Sequence, residues 1–133
     1  VAAAVQLLGT LFFNVSTFQT LHTNLSAAQV DKLVWRPDIY GSTCFLVASL
    51  LAWMSVAHGP WSWRPRSLSW WIAALNMLGS IGFGFSAVAA FVVPTDGQPV
   101  NVMLVNLGTF IGALCFLAGG LLLLPERTRV HGV

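Results

Sequence analysis

The amino-acid sequence contains the same apolar helix pair twice, about 70 residues apart. Residues 3–18 read AAVQLLGTLFFNVSTF, and residues 73–88 read AALNMLGSIGFGFSAV. At an offset of 70, six of these sixteen positions are identical: Ala3/Ala73, Ala4/Ala74, Leu8/Leu78, Gly9/Gly79, Phe13/Phe83 and Ser16/Ser86. Other pairs are close in kind, such as Gln6/Asn76 and Thr10/Ser80. At an offset of 71, GSTCFLVASLL (41–51) lies over GALCFLAGGLL (112–122), with Gly, Cys, Phe and three Leu in common. A fixed period across two kinds of helix marks duplication of a supersecondary unit. Residues 1–68 then form one helix-pair repeat, and 69–133 form the second with a short basic tail.

Charge decides the solvent for such a unit. The 133 residues are 56% hydrophobic and only 8% charged, whereas water-soluble domains carry about 25% charged residues. The charges avoid four apolar stretches, 1–21, 39–57, 69–93 and 100–124. Each is near the ~20 residues that cross ~30 Å of hydrocarbon as a helix. None shows the apolar/polar alternation of a transmembrane barrel strand. The expected fold is therefore all-α, an integral membrane four-helix bundle made of two parallel-repeat helical hairpins. Two crossings per repeat leave equivalent helices pointing the same way, unlike the inverted repeats of many transporters.

One side of this topology holds Lys32, Arg36, Asp31, Asp38 and Asp96; the other holds Arg64, Arg66, Arg127, Arg129 and Glu126. Basic residues concentrate on the cytoplasmic face. A multi-pass protein of the bacterial inner membrane, with both ends cytoplasmic, is the expectation. The chain begins at Val1 inside an apolar run with no signal pattern, and residues upstream are expected to be missing. A net charge of +2 gives no footprint for nucleic acid. The expected partners are membrane lipids and either further copies of the chain or a larger membrane complex.

The connections carry their own signals. Ser26 is a candidate N-cap, and Leu25, Val30, Leu33 and Val34 give one apolar side to a short helix after it. Alternatively this segment is the outer part of the second helix, broken where Pro37 removes a backbone donor. Pro94–Pro99 reads as a tight turn, and the last helix is expected to stop at Pro125. Trp61, Trp63, Trp70 and Trp71 suit an aromatic belt at headgroup level.

Helices in lipid associate through small residues and polar contacts. Gly9 and Gly79 are repeat equivalents; Gly82, Ser86 and Ala90 are spaced by four, as are Gly108 and Gly112, with Gly119 on the same broad face. These are the expected packing seams. Gln6, Thr10, Asn14 and Thr17 form a polar stripe on one helical face, which Asn76 and Ser80 repeat in part. Its simplest role is hydrogen bonding between helices, with Asn106 and Thr109 among the partners. The alternative is a lining for a small polar ligand or a water-filled path.

Chemistry is sparse. Under this topology no Asp, Glu, Lys, Arg or His falls at membrane depth, which argues against a proton-coupled carrier. Cys44 and Cys115 are repeat equivalents, each in GxxCFL. They read as small buried hydrophobes, with a disulfide across the pseudo-axis as the minor alternative. His22 and His58 lie at opposite faces and cannot share a haem or metal; His131 lies in the tail. Asp31, Asp38 and Asp96 are expected in solvated loops; a shared cation is one alternative, and for Asp38 pairing to Arg36 or capping the helix after Pro37 is another. No nucleophile with a neighbouring base is present, so no catalytic residue, cofactor or metal is expected.

LVWRPDIYGSTCFLVASLLAW (33–53), SWWIAALNMLGSIGFGFSAVAAFV (69–92) and NLGTFIGALCFLAGGLLLLPE (106–126) resemble bacterial, actinobacterial-type membrane proteins built from YrhK-like helix pairs. The resemblance covers nearly the whole chain. It implies a longer parent with another hydrophobic pair upstream, and it supplies no catalytic residue to carry over. The expected function is that of a non-enzymatic scaffold, accessory subunit or assembly unit. The alternative is a channel or carrier for a small neutral solute that uses the polar stripe.

Overall fold

The structure is a computed structural model that describes residues 1–22, 24–57, 63–92, 95 and 97–131, the last six by backbone only. His58, Trp61, Pro94 and Asp96 lie outside the described residues, as do the side chains of Glu126, Arg127, Arg129 and His131. The chain is all-helical. Helix α1 spans Ala2–Gln19, a short α2 spans Ala27–Val30, α3 spans Arg36–Val56, α4 spans Leu68–Ala89 and α5 spans Val102–His131. Three stretches are long and apolar enough to cross a membrane: 27–56, 68–89 and 102–125. Helix α1, 18 residues long with Gln6, Asn14 and Gln19 in it, is not among them.

Ser26 caps α2 as its residue type predicts. Its hydroxyl accepts from the Gln29 N–H, and the Gln29 side chain returns the bond to the Ser26 N–H. The chain then passes through one π-helical segment, Asp31–Trp35, directly into α3. Pro37 therefore does not break the helix. It has no N–H to donate and its ring crowds the carbonyl four residues back. The wider turn accommodates both, and the Arg36 N–H donates to the Asp31 carbonyl instead. Pro125 does not stop α5 either; the helix continues to His131. A proline removes one rung, and a helix otherwise favoured on both sides tolerates it.

Most of the buried residues are small, and many large apolar ones face outward. Ala48, Ala73, Ala87, Ser42, Ser49, Ser80 and Ser86 are buried. Leu11, Val15, Phe18, Val47, Leu50, Met54, Leu78, Phe85, Val88, Leu114 and Leu121 are exposed. Large contiguous apolar surface is not stable in water, and this distribution fits a helical bundle solvated by hydrocarbon. Trp70 is an exception to the expected aromatic belt. It is only 4% exposed and packs among Trp53, Trp63 and Trp71, with ring centroids 4.9–5.6 Å away.

The helices pack in the order α1, α3, α4, α5. Extended contacts join each neighbouring pair, but α1 and α5 share no extended interface. At one end Val92 bridges to Pro99, with Gly97 at φ 67° in the turn between them. Asp31 accepts a hydrogen bond from the Val92 N–H at 3.0 Å and ties the start of the π segment to this turn.

Candidate functional site

Close approach of backbones sets the α1–α3 and α4–α5 seams. A Cβ placed on Gly9 would lie 3.0 Å from the Cys44 Cβ and 3.1 Å from the Gly41 carbonyl. One placed on Gly79 would lie 2.8 Å from the Phe116 ring and 3.1 Å from the Gly112 carbonyl. One on Gly82 would come within 3.0 Å of the Gly108 carbonyl, and one on Gly112 within 3.0 Å of the Gly79 carbonyl. All five glycines singled out in the sequence, Gly9, Gly79, Gly82, Gly108 and Gly112, therefore sit where helices touch through backbone or ring atoms.

Hydroxyls join the helices as well. Ser16 donates to the Val34 carbonyl at 2.9 Å, and Ser86 donates to the Val105 carbonyl at 2.9 Å. These bonds occupy corresponding places at offsets of 70 and 71. Between α3 and α4, Ser49 and Ser80 lie 2.6 Å apart; Ser49 also reaches the Asn76 carbonyl and Ser80 the Phe45 carbonyl. Ser42 adds a 3.4 Å bond to the Phe83 carbonyl, and the Trp35 indole donates to the Ala87 carbonyl at 2.8 Å.

The polar stripe does not converge on a single path. Ser80 is fully buried in the α3–α4 seam and its hydrogen bonds are satisfied there. Asn76 is half-buried beside Gly119 of α5. On α1, Gln6 is half-buried, while Thr10, Asn14 and Thr17 are exposed, and Thr10 bonds only to the Gln6 carbonyl of its own helix. Thr109 pairs with Ser86 at 2.7 Å instead of with an α1 amide, and Asn106 is exposed. The stripe thus divides into a sealed half on α4 and an outward half on α1. A helical wheel gives the face but not the partner. The face that α4 turns to α3 has its equivalent on α1 where no neighbour packs along its length.

Four phenylalanines fill the centre. Phe13 meets Phe45 and Phe83, each at 5.3 Å between ring centroids; Phe116 meets Phe45 at 5.2 Å and Phe83 at 5.5 Å. They occur as two pairs at offsets of 70 and 71. Beside this floor lies a pocket of about 280 Å³, towards the end that holds the 91–101 turn. Helix α1 contributes Phe13, Ser16, Thr17 and Thr20; α4 and α5 contribute Phe83, Ser86, Ala90, Val105 and Thr109. The remaining wall is Val30, Val34, Trp35 and Asp38.

Asp38 is the feature that the sequence placed wrongly. It is neither in a loop nor paired with Arg36. It lies in the first turn of α3, directly after the π segment, half-buried, with its side chain on the pocket. Among the described residues its carboxylate has no hydrogen-bond or ion-pair partner. Lys32 and Arg36 are exposed. The sequence signal was the register: at an offset of 71, Asp38 lies over Thr109, a position inside a helix. Asp31 accepts a bond from the Val92 N–H, no cluster of three or more His, Cys, Asp or Glu occurs among the described residues, and Asp96 lies outside them. Cys44 and Cys115 are free thiols, each half-buried, so they form no disulfide. No protein-family model, curated protein or solved structure matches this chain.

Proposed function

We propose that the chain is a non-enzymatic assembly unit of the bacterial inner membrane, two copies of a YrhK-like hairpin that recruit a further copy through faces left open in the single chain. One observation carries this reading. The α3–α4 seam is packed through Ser42, Ser49, Asn76, Ser80 and Ala87. The corresponding positions, at offsets of 70 and 71, are Ala113 and Gly120 on α5 and Gln6, Thr10 and Thr17 on α1. Ala113, Gly120, Thr10 and Thr17 are all exposed. A surface of small and hydroxyl-bearing residues with its counterpart buried elsewhere in the same chain is complementary to a second copy. In lipid such contacts supply the attraction that hydrophobicity does not.

The arrangement is head-to-tail, with α5 of one copy against α1 of the next. Two such contacts close a dimer; other rotations close larger rings. The conduit reading is weaker, because Ser80 is sealed and Thr10 and Asn14 lie on the outside. The test is a cross-link at the pair that corresponds to Ser80 and Ser49. One chain carries Thr10→Cys and another Gly120→Cys, both with Cys44→Ser and Cys115→Ser. The expected product in mixed membranes is a covalent dimer of one chain of each type. Monomers alone under oxidation, from protein that remains folded, would overturn the reading.

A further inference from the structure

We propose that the pocket walled by Asp38 and Trp35 and floored by Phe13 and Phe83 is a binding site for an ammonium group, carried by a free amine or by a lipid headgroup. The site lies within one copy and does not depend on self-association. The argument begins with what the walls offer. There is one carboxylate, and among the described residues nothing neutralises it. Ser16 has committed its proton to the Val34 carbonyl, which leaves its oxygen as an acceptor, while Ser86 donates to the Val105 carbonyl and pairs with the Thr109 hydroxyl. The remaining walls are aromatic rings and aliphatic carbon. The pocket therefore offers one carboxylate, hydroxyl oxygens and aromatic side chains, and no basic side chain is among its described lining residues.

That combination selects for a cation of a particular kind. A small metal ion needs a shell of several oxygens at fixed short distances, and no cluster of three or more His, Cys, Asp or Glu occurs among the described residues. Aromatic and aliphatic walls such as Trp35, Phe13 and Phe83 add nothing to a hydrated sodium ion that keeps its water. They favour an alkylammonium ion, whose charge is spread over carbon and whose hydration is weak. A volume of about 280 Å³ holds an ammonium centre with a few carbons attached, at the small end of the usual range for ligand sites. The pocket also lies at the end of the bundle, where lipid headgroups meet a protein in a bilayer, so both sources of the same chemistry reach it.

The experiment uses the full chain in detergent and calorimetric titration with choline, ethanolamine, sodium and 3,3-dimethylbutan-1-ol, the uncharged isostere of choline. Choline is expected to bind saturably and at least tenfold more tightly than the isostere. Asp38→Asn is expected to abolish this discrimination, and Trp35→Phe to weaken choline more than the isostere. Thermal unfolding of each variant shows whether it is folded; if Asp38→Asn is not, Asp38→Glu serves, with its carboxylate displaced by one methylene and choline weakened severalfold. Nanodiscs separate the sources. Ethanolamine binding suppressed by phosphatidylethanolamine but not by phosphatidylglycerol assigns the site to headgroups, whereas equal binding in both assigns it to free amines. Equal affinity for choline and its isostere, sodium competing as well as choline, or no saturable binding by folded protein would each overturn the proposal.

Discussion

The substitution Gly108→Ala tests whether backbone contact holds α4 against α5. A Cβ on Gly108 would lie 2.7 Å from the Gly82 carbonyl oxygen, 3.1 Å from the Ser86 Cβ and 3.2 Å from the Ser86 nitrogen. All three belong to the backbone or to a Cβ, so no rotamer change relieves them. Ordinary contact begins near 3.4 Å, and the helices must part by about 0.7 Å locally. A shift of that size carries the 2.9 Å bond from Ser86 to the Val105 carbonyl out to about 3.6 Å, beyond hydrogen-bond reach. Overpacking costs about 1–3 kcal/mol, and the lost interhelical bond about 0.6–2 kcal/mol. The expected destabilisation is about 2–4 kcal/mol. Reversible unfolding in mixed micelles measures it, with Gly120→Ala as the control. Nothing lies within 4 Å of a Cβ at Gly120, and alanine is the better helix former by about 1 kcal/mol. Gly120→Ala is therefore expected to be neutral or stabilising in the monomer. If Gly108→Ala unfolds within about 0.5 kcal/mol of the parent, or if the two variants are equally damaged, close backbone packing is not what holds this seam.

Two further experiments probe the polar contacts. In a double-mutant cycle of Ser49→Ala and Ser80→Ala, the 2.6 Å hydroxyl pair should show a coupling of about 0.6–1.7 kcal/mol in unfolding titrations; zero coupling would mean that each hydroxyl needs only its carbonyl. Asn101→Ala removes the 2.9 Å side-chain bond to the Leu104 N–H at the start of α5. A loss of about 1 kcal/mol is expected, with faster amide exchange confined to residues 102–105; exchange that rises along the whole helix would refute a local capping role.

Much of the helical architecture was legible because it depends on periodicity and composition. Gly82, Gly108 and Gly112 could be read as contacts because small residues at four-residue spacing have few other uses in an apolar helix, and Gly79 because it repeats Gly9. Ser26 could be read because an N-cap is a local property. Pro37 and Pro125 misled, since the loss of one backbone donor is local while the cost of ending a helix is borne by its neighbours too. A π turn at Asp31–Trp35 cannot be seen in residue types at all. The site was misread for a related reason. Asp38 was assigned by its charge to a loop, yet its register with Thr109 placed it in a helix facing the same pocket. Helical spacing puts the α1 stripe on one face, but which helix lies opposite is a tertiary fact that one sequence does not encode locally.

Beside the hydroxyl pairs Ser49–Ser80 and Ser86–Thr109, six interhelical bonds share one asymmetry: Ser16, Ser42, Ser49, Ser80, Ser86 and Trp35 each reach a main-chain carbonyl. Half of each such contact is thus held by atoms that no substitution edits. Val34 and Val105, or Phe45 and Phe83, remain acceptors whatever side chain evolution installs there. A joint that needs only one specified partner drifts freely on its other side. Two halves of a chain can then become strangers in sequence while their helices keep the same grip.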